Sequence, residues 1–475
     1  MAGPGAPLRV HTVSGQRRDR SSPPTGPRSS ALLLTAAFAL LLSIYLVSPV
    51  AIYGDGRAGG PTAASLVVEG DLDLDEFSDL AWFDGYQITS VGGHAYDFYP
   101  WTRTIFAVPV AAGLEVAAAL GVGNGAAAAV RSDTWEPVLL LVPGALATAA
   151  AAALAGLLAW RGVTLRRRCT ALVVAAFAGL GTGYWSTASR GLWQHGPACL
   201  WLTLALLGAW GVEHGRRRAW SAALLGAAAT AAAFTRPPFV FLGLGLATWL
   251  VTAHRRRFLA ATGGAAVVTA AVLAVNLATY GTLMMPYYDP ARASGPRADS
   301  LLYGIAGTLV SPSRGALFFL PAAFAAAAWG LVLAWRGRRE VGLRVAVALS
   351  SVVFLLFVAV NPEGWWGGHS YGPRFLVDLV PVLAFLSVPA VEAVLASGLR
   401  RPASGALCLL AAWSIFVHAQ GGLIRQSSCW NTVPDDIDQN RARAWDLRQP
   451  QFLAGARWVL AGNSPLRDAC GGAQI

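Results

Sequence analysis

Apolar runs of about twenty residues recur along this chain, separated by short arginine clusters. A helix needs ~20 apolar residues to cross the hydrocarbon core of a bilayer, so this repetition constrains the fold more than any motif does. A soluble helical protein would keep a polar face on each helix, and few of these runs carry one. Only 13% of the residues are charged, while 55% are hydrophobic; an ordinary soluble domain is about 25% charged. The sequence therefore predicts an all-α polytopic membrane protein. The formal charge is +11, but the cations sit in clusters between the runs. The positive-inside bias accounts for that placement, so no nucleic-acid partner is expected. Every one of those cations is arginine, and lysine is absent.

The clusters set the threading. They fall at Arg161–Arg168, Arg216–Arg218, Arg255–Arg257, Arg336–Arg339 and Arg400–Arg401. If all are cytoplasmic, the spans between them come in pairs: 169–188 with 197–213, 219–234 with 238–253, 258–279 with 315–335, and 342–361 with 375–397. Residues 1–30, rich in Pro, Ser, Gly and Arg, read as a disordered cytoplasmic arm. Ala31–Tyr53 is too long for a signal-peptide core and reads as the first span. Segment 136–160 returns, and 403–421 leaves a polar tail, 422–475, outside. The result is a transmembrane domain over 31–421 with about 11 spans, its N-terminus inside and its C-terminus outside, in the cytoplasmic membrane. Counting 104–123 as a span would break the parity, so it is expected as an interfacial helix within a first outer loop of 54–135.

This threading sends most acidic residues outside. Glu69, Asp71, Asp73, Asp75, Glu76 and Asp79 crowd one stretch after the first span. Their alternation resembles a calcium loop, but Glu76 stands where such a loop needs glycine. The stretch reads either as a solvated acidic loop or as a general base held at the membrane surface. Tyr96–Trp101 has rings that suit an interface, which leaves Asp97 to explain. The turn Ser189–Pro197 carries Arg190, Trp193 and His195. Ser311–Gly315 places Arg314 at the opening of a helix, which suits a phosphate. Residues 363–374 combine Trp365, Trp366, His369 and Arg374 with glycines, and Asp378 follows four residues after Arg374. Those two could pair at that spacing or bind a ligand. Cys169, Cys199 and Cys408 read as buried hydrophobes; Cys429 and Cys470 could pair in an oxidising compartment. No cysteine spacing fits zinc.

The chain resembles the GT-C membrane glycosyltransferases, which include protein O-mannosyltransferases and the transferases that add aminoarabinose to lipid A. The residues that carry the likeness are Asp75-Glu76-Phe77 in the first outer loop, Tyr99-Pro100-Trp101-Thr102 after it, and Thr235-Arg236-Pro237-Pro238 at a broken span. Trp365-Trp366-Gly367-Gly368 and Gly372-Pro373-Arg374 are similar to bacterial members of unassigned substrate. The pattern keeps one proline where the family often has two, and the short tail disfavours an oligosaccharyltransferase.

The resemblance implies a GT-C-like bundle with outer-side interfacial helices. It also implies transfer of one sugar from a polyprenyl-phosphate carrier to a lipid, glycan or protein acceptor at the outer face. It makes Asp75 the base or a metal ligand, with Glu76 in support and Asp73 as alternative. Arg374, Arg314 and Arg236, in that order, would hold the donor phosphate, and Asp97, His195, Trp366 and His369 would line the substrate site. The only cofactor expected is a divalent cation, on Asp71, Asp73 and Asp75; the other partners would be membrane lipids. The rivals are a transporter or flippase of lipid-linked substrates and a non-catalytic envelope-assembly subunit. A transporter would be expected to carry ionisable groups at midplane and internal repeats; here the charges gather at one face.

Overall fold

The computed structural model describes residues 27–163, 166–215, 217–288, 301–361, 364–397 and 401–460. Helix α1 (Pro27–Val47) leads into a small loop domain. There α2 (Gly59–Val68), a hairpin of β1 (Ile88–Val91) and β2 (His94–Asp97), α3 (Val108–Ala119) and α4 (Ala126–Val130) come in turn. Leu74, Phe77, Ala107, Leu114 and Val130 close a separate core beneath them, shared with Leu139 and Leu192 of the bundle. The bundle itself begins with α5 (Glu136–Gly162), α6 (Arg167–Leu180) and the short α7 (Gly183–Ser186). Next come α8 (His195–His214), α9 (Arg218–Thr235), α10 (Phe239–His254) and α11 (Phe258–Tyr280). It ends with α12 (Leu301–Val310), α13 (Ala316–Phe319), α14 (Pro321–Arg336), α15 (Val341–Ala359), α16 (Val380–Ser397) and α17 (Pro402–Leu423). The tail is irregular apart from 3-10 turns and α18 (Ala454–Leu460).

Each segment expected to span is largely helical, although the first helix stops at Val47 rather than Tyr53, and length and apolarity single out fewer crossings than eleven. Seven helices among the described residues meet both criteria, or eight if a bent pair is one span. The differences have local causes. A 41° bend at residues 181–182 sets α6 at an angle to the helical stretch Gly183–Arg190. Only a 3-10 turn of three arginines separates α10 from α11, so the two form one apolar stretch of 42 residues. Helix α14 has 16 residues, about 24 Å of rise against a core of ~30 Å. Segment 104–123 is likewise no span: it divides into a 3-10 turn and the 12-residue α3. The expected Cys429–Cys470 pairing falls on Cys470, outside the described residues, as do the arm of 1–26 and Glu363.

Small residues set the helix spacing, as expected where apolar burial cannot drive association. A Cβ on Gly226 of α9 would stand 1.9 Å from the carbonyl oxygen of Ala261 in α11, so only glycine allows that crossing. Helix α16 depends on a different device. Pro389 lies inside it and has no N–H for the carbonyl four residues back. That carbonyl belongs to Phe385, and the buried Arg344 of α15 donates to it at 2.8 Å. The guanidinium also lies over the Phe385 ring at 4.3 Å, with Glu340 as counter-ion at 3.3 Å.

Replacing Arg344 with methionine is expected to destabilise the protein by about 1–3 kcal/mol. The loss should shrink in a Pro389→Ala background, where the helix satisfies its own carbonyl. Thermal unfolding in detergent measures this cycle; strictly additive losses would refute the coupling.

Candidate active site

The candidate site is built at the end of α1. There the fully buried Arg190 donates to the carbonyls of Tyr45 at 2.7 Å and Ser48 at 3.1 Å. Those carbonyls are the unpaired acceptors that any helix C-terminus leaves. Beyond them Ile52 hydrogen-bonds Arg190 through its N–H at 2.8 Å, and its carbonyl accepts from the Trp193 indole at 2.8 Å. The turn Gly54–Gly56 then lies flat on Leu192 and Trp193. Gly54 has a φ of +33°, and a Cβ on Gly56 would come within 3.1 Å of the Leu192 backbone. The residue between these glycines is Asp55.

Asp55 accepts from the Tyr86 hydroxyl at 3.0 Å and from Arg374 at 3.0 Å. It is 20% exposed, and Arg374 is 17% exposed. Burial works against its ionised form. The Arg374 charge, hydrogen bonds from Tyr99 and Tyr86, and the nearby Arg103 more than offset this and hold its carboxyl below the usual range. Its backbone carbonyl accepts from Arg103. Arg103 is fully buried and reaches both oxygens of Asp97, at 2.7 and 3.0 Å. Tyr99 packs between these groups: the Arg103 guanidinium lies 5.0 Å over its ring, and Tyr287 is 5.5 Å away.

A second charged group adjoins the first. Asp378 is fully buried, accepts from Arg236 and is 2.7 Å from Nδ1 of His195. Arg236 also donates to Gln194 at 3.2 Å. Phe375 joins the groups, because Arg236 lies over its ring at 5.3 Å and Arg374 at 5.1 Å. Three buried donors here have no hydrogen-bond partner: Nε of Arg374, Nε of Arg103 and the side-chain amide nitrogen of Gln194. Free N–H groups beside a carboxylate, in a site of low exposure, suit an anionic ligand that also presents a hydroxyl.

The expected site residues divide among three places. Arg374, Arg236, Asp97 and His195 meet around Asp55 and Asp378. The pairing of Arg374 with Asp378 that their spacing suggested is not made; each takes a different partner. Asp73 and Asp75 gather instead at the start of β2, where Asp75 accepts from the Ala95 N–H at 2.8 Å and lies 2.7 Å from His94. These contacts hold the Asp75 carboxyl below the usual range, and it remains 46% exposed. Glu76 is half-buried next to it, and burial pushes its carboxyl up. Two residues of β2, Ala95 and Tyr96, lie between His94 and Asp97, a rise of about 10 Å along the strand.

The third place is the tail. Arg314 is buried against Asn431 at 2.8 Å and the Gly368 carbonyl at 3.1 Å, with Gln451 also accepting from it. It pins the tail to the 364–374 loop and has the Trp430 ring 5.1 Å away. Trp366 donates to Asp438 at 2.7 Å, and His369 pairs with Asp436 at 2.9 Å. Among the described residues two groups could hold a cation: Asp73, Asp75 and His94, and His369, Asp436 and Asp438, each with ligand atoms within 4.8 Å of one another. Oxygen donors with one imidazole suit a divalent metal. Asp71 is not among them; it accepts from Ser65 at 2.8 Å.

Sequence reasoning missed Asp55, Tyr86 and Arg103. One signal was present for Asp55: it is the first acid after the first apolar run and is flanked by glycines.

No protein-family model matches the chain, and no curated protein matches it. Solved structures do. The chain superposes on the Archaeoglobus fulgidus oligosaccharyltransferase, tethered by a disulfide to an acceptor peptide containing the NVT sequon, with a TM-score of 0.50 and 13% identity. The match covers 90% of this chain and 60% of that one. The apo form of the same protein matches at a TM-score of 0.44, over 89% and 60%. The chain is a membrane-embedded protein with the GT-C fold of that oligosaccharyltransferase. It spans about 60% of that protein's length.

Removing one partner of a buried ion pair costs about 3–5 kcal/mol. Asp97→Asn is therefore expected to speed backbone hydrogen exchange across residues 87–107, while Asp79→Asn, whose partner is the exposed Arg131, leaves that segment protected. Equal protection in the Asp97 variant would show that the pair does not hold the loop domain down.

Proposed function

We propose that this chain is a glycosyltransferase that moves a sugar from a polyprenyl-phosphate donor to a hydroxyl group of a lipid, glycan or protein at the outer face of the cytoplasmic membrane. The observation that carries the reading is the Asp55–Arg374 pair, set beside buried N–H donors that have no partner. The GT-C fold supports it, since the neighbouring structure is an oligosaccharyltransferase with a tethered acceptor peptide.

In this reading Asp55 is the general base. It takes the proton of the acceptor hydroxyl as that oxygen bonds to the anomeric carbon. The bond from that carbon to the phosphate oxygen breaks, and polyprenyl phosphate leaves. Arg374 is the phosphate ligand, assisted by Gln194 and by Arg236. Before the donor binds, Arg374 is held by Asp55. The donor phosphate competes for the same guanidinium, so its arrival frees the carboxylate to act on the acceptor. His195 and Asp378 orient Arg236. Asp75, with Glu76 and Asp73, is the second candidate for the base. Trp366 and His369 offer a ring and an imidazole to a bound glycan near the tail.

The test is transfer from a synthetic polyprenyl-phosphate sugar by the purified full-length protein. A positioned base contributes about 10²–10⁴ in rate. Asp55→Asn should therefore lose at least a hundredfold in kcat at normal membrane abundance, and Arg374→Gln should raise KM for the donor. Full activity in Asp55→Asn alongside loss in Asp75→Asn would move the base to the acidic loop. Full activity in both would end the proposal.

A further inference from the structure

At the opposite end of the bundle four arginines gather around one cavity. The turn Arg255–Arg257 between α10 and α11, together with Arg218 at the start of α9, lines a cavity of about 360 Å³ with Ala253 and His254. Arg255 and Arg256 are exposed, and among the described residues the side chains of the three turn arginines have no hydrogen bond or ion pair. Glu213 is the acid beside them, and its carboxylate is already 2.7 Å from His254. Arg218 donates only to backbone carbonyls, those of Gly215 and Glu213, at 3.3 Å. Helices α9 and α11 begin here while α8 and α10 end here, so the helix termini offset one another and the positive field comes from the arginines.

The rim decides which anion this cavity takes. Trp220, Phe258 and Leu259 flank the arginines and are 76%, 41% and 81% exposed. Large apolar side chains next to a charged cavity at the end of membrane helices mark the boundary between headgroup and acyl chain. A ligand that fills the cavity and covers this rim carries an anionic group and a hydrocarbon tail on one molecule. We infer that the Arg218/Arg255–Arg257 cavity binds the headgroup of an anionic phospholipid, of the phosphatidylglycerol or cardiolipin class, in the leaflet that the positive-inside bias assigns to the cytoplasm. The site is remote from Asp55, and its test needs no enzymatic activity.

Full-length protein in neutral detergent should unfold at higher temperature as phosphatidylglycerol is added, and not with phosphatidylcholine. Arg255→Gln/Arg256→Gln should weaken phosphatidylglycerol retention in native mass spectrometry at least about tenfold. The charge-matched variant Arg336→Gln/Arg338→Gln should retain it. Equal stabilisation by phosphatidylcholine, or by inorganic phosphate alone, overturns the assignment. Equal loss in both double variants overturns it too, because net charge would then suffice. Should the first double variant fail to fold, Arg256→Gln alone is read by the same comparison, and undiminished retention there refutes the site.

Discussion

The end of α1 is where the site is decided. A helix that stops inside a protein leaves carbonyls that must find donors, and Arg190 supplies them from a turn that lies more than 130 residues away. Ile52, Gly54 and Gly56 then lie against Trp193 and Leu192. Asp55 therefore stands at a defined point beside Arg374, which arrives from the far end of the sequence. Without Arg190 the glycines of the turn would let Asp55 wander.

Charge within the site is nearly balanced. Arg103, Arg236 and Arg374 face Asp55, Asp97 and Asp378, with His195 alongside. The pairs are not equivalent. Asp97–Arg103 and Asp378–Arg236 are closed and buried, and an unpaired charge at that depth would cost several kcal/mol. Asp55–Arg374 is the more exposed pair, at 20% and 17%. It is thus the pair that a ligand can open at least expense, and the two buried pairs hold the walls while it does so.

The apolar runs were readable in the sequence because a bilayer demands length and leaves no room for polar faces. Crossings were harder to count, since a bend at residues 181–182 and a turn at Arg255–Arg257 depend on packing rather than on composition. Within the site, Arg374, Arg236, Asp97 and His195 stood out as charges at the ends of spans. Asp55 did not, because an aspartate between two glycines also reads as an ordinary turn. The dense acids around Asp75 drew attention by number, yet they are held by one hairpin and by His94. Arg314 sat at a helix opening that suits a phosphate, but Asn431 and Gln451, over a hundred residues later, take up its donors. Local spacing suggested Arg374 with Asp378 for the same reason: it cannot register partners brought in by other helices.

Arginine does two kinds of work here, and burial separates them. Arg103, Arg190, Arg314 and Arg344 are fully buried. Each satisfies carbonyls or carboxylates that the fold leaves open, the Phe385 carbonyl opposite Pro389 being the plainest case. A guanidinium suits this role because its five donors lie in one plane and it stays charged. Arg255 and Arg256 satisfy nothing inside the chain and stay exposed. An apolar stretch of 42 residues with three arginines near its middle must place that turn at a membrane surface, whatever else it does. The same residue type thus closes the protein's interior at one set of positions and leaves it open to the lipid at another.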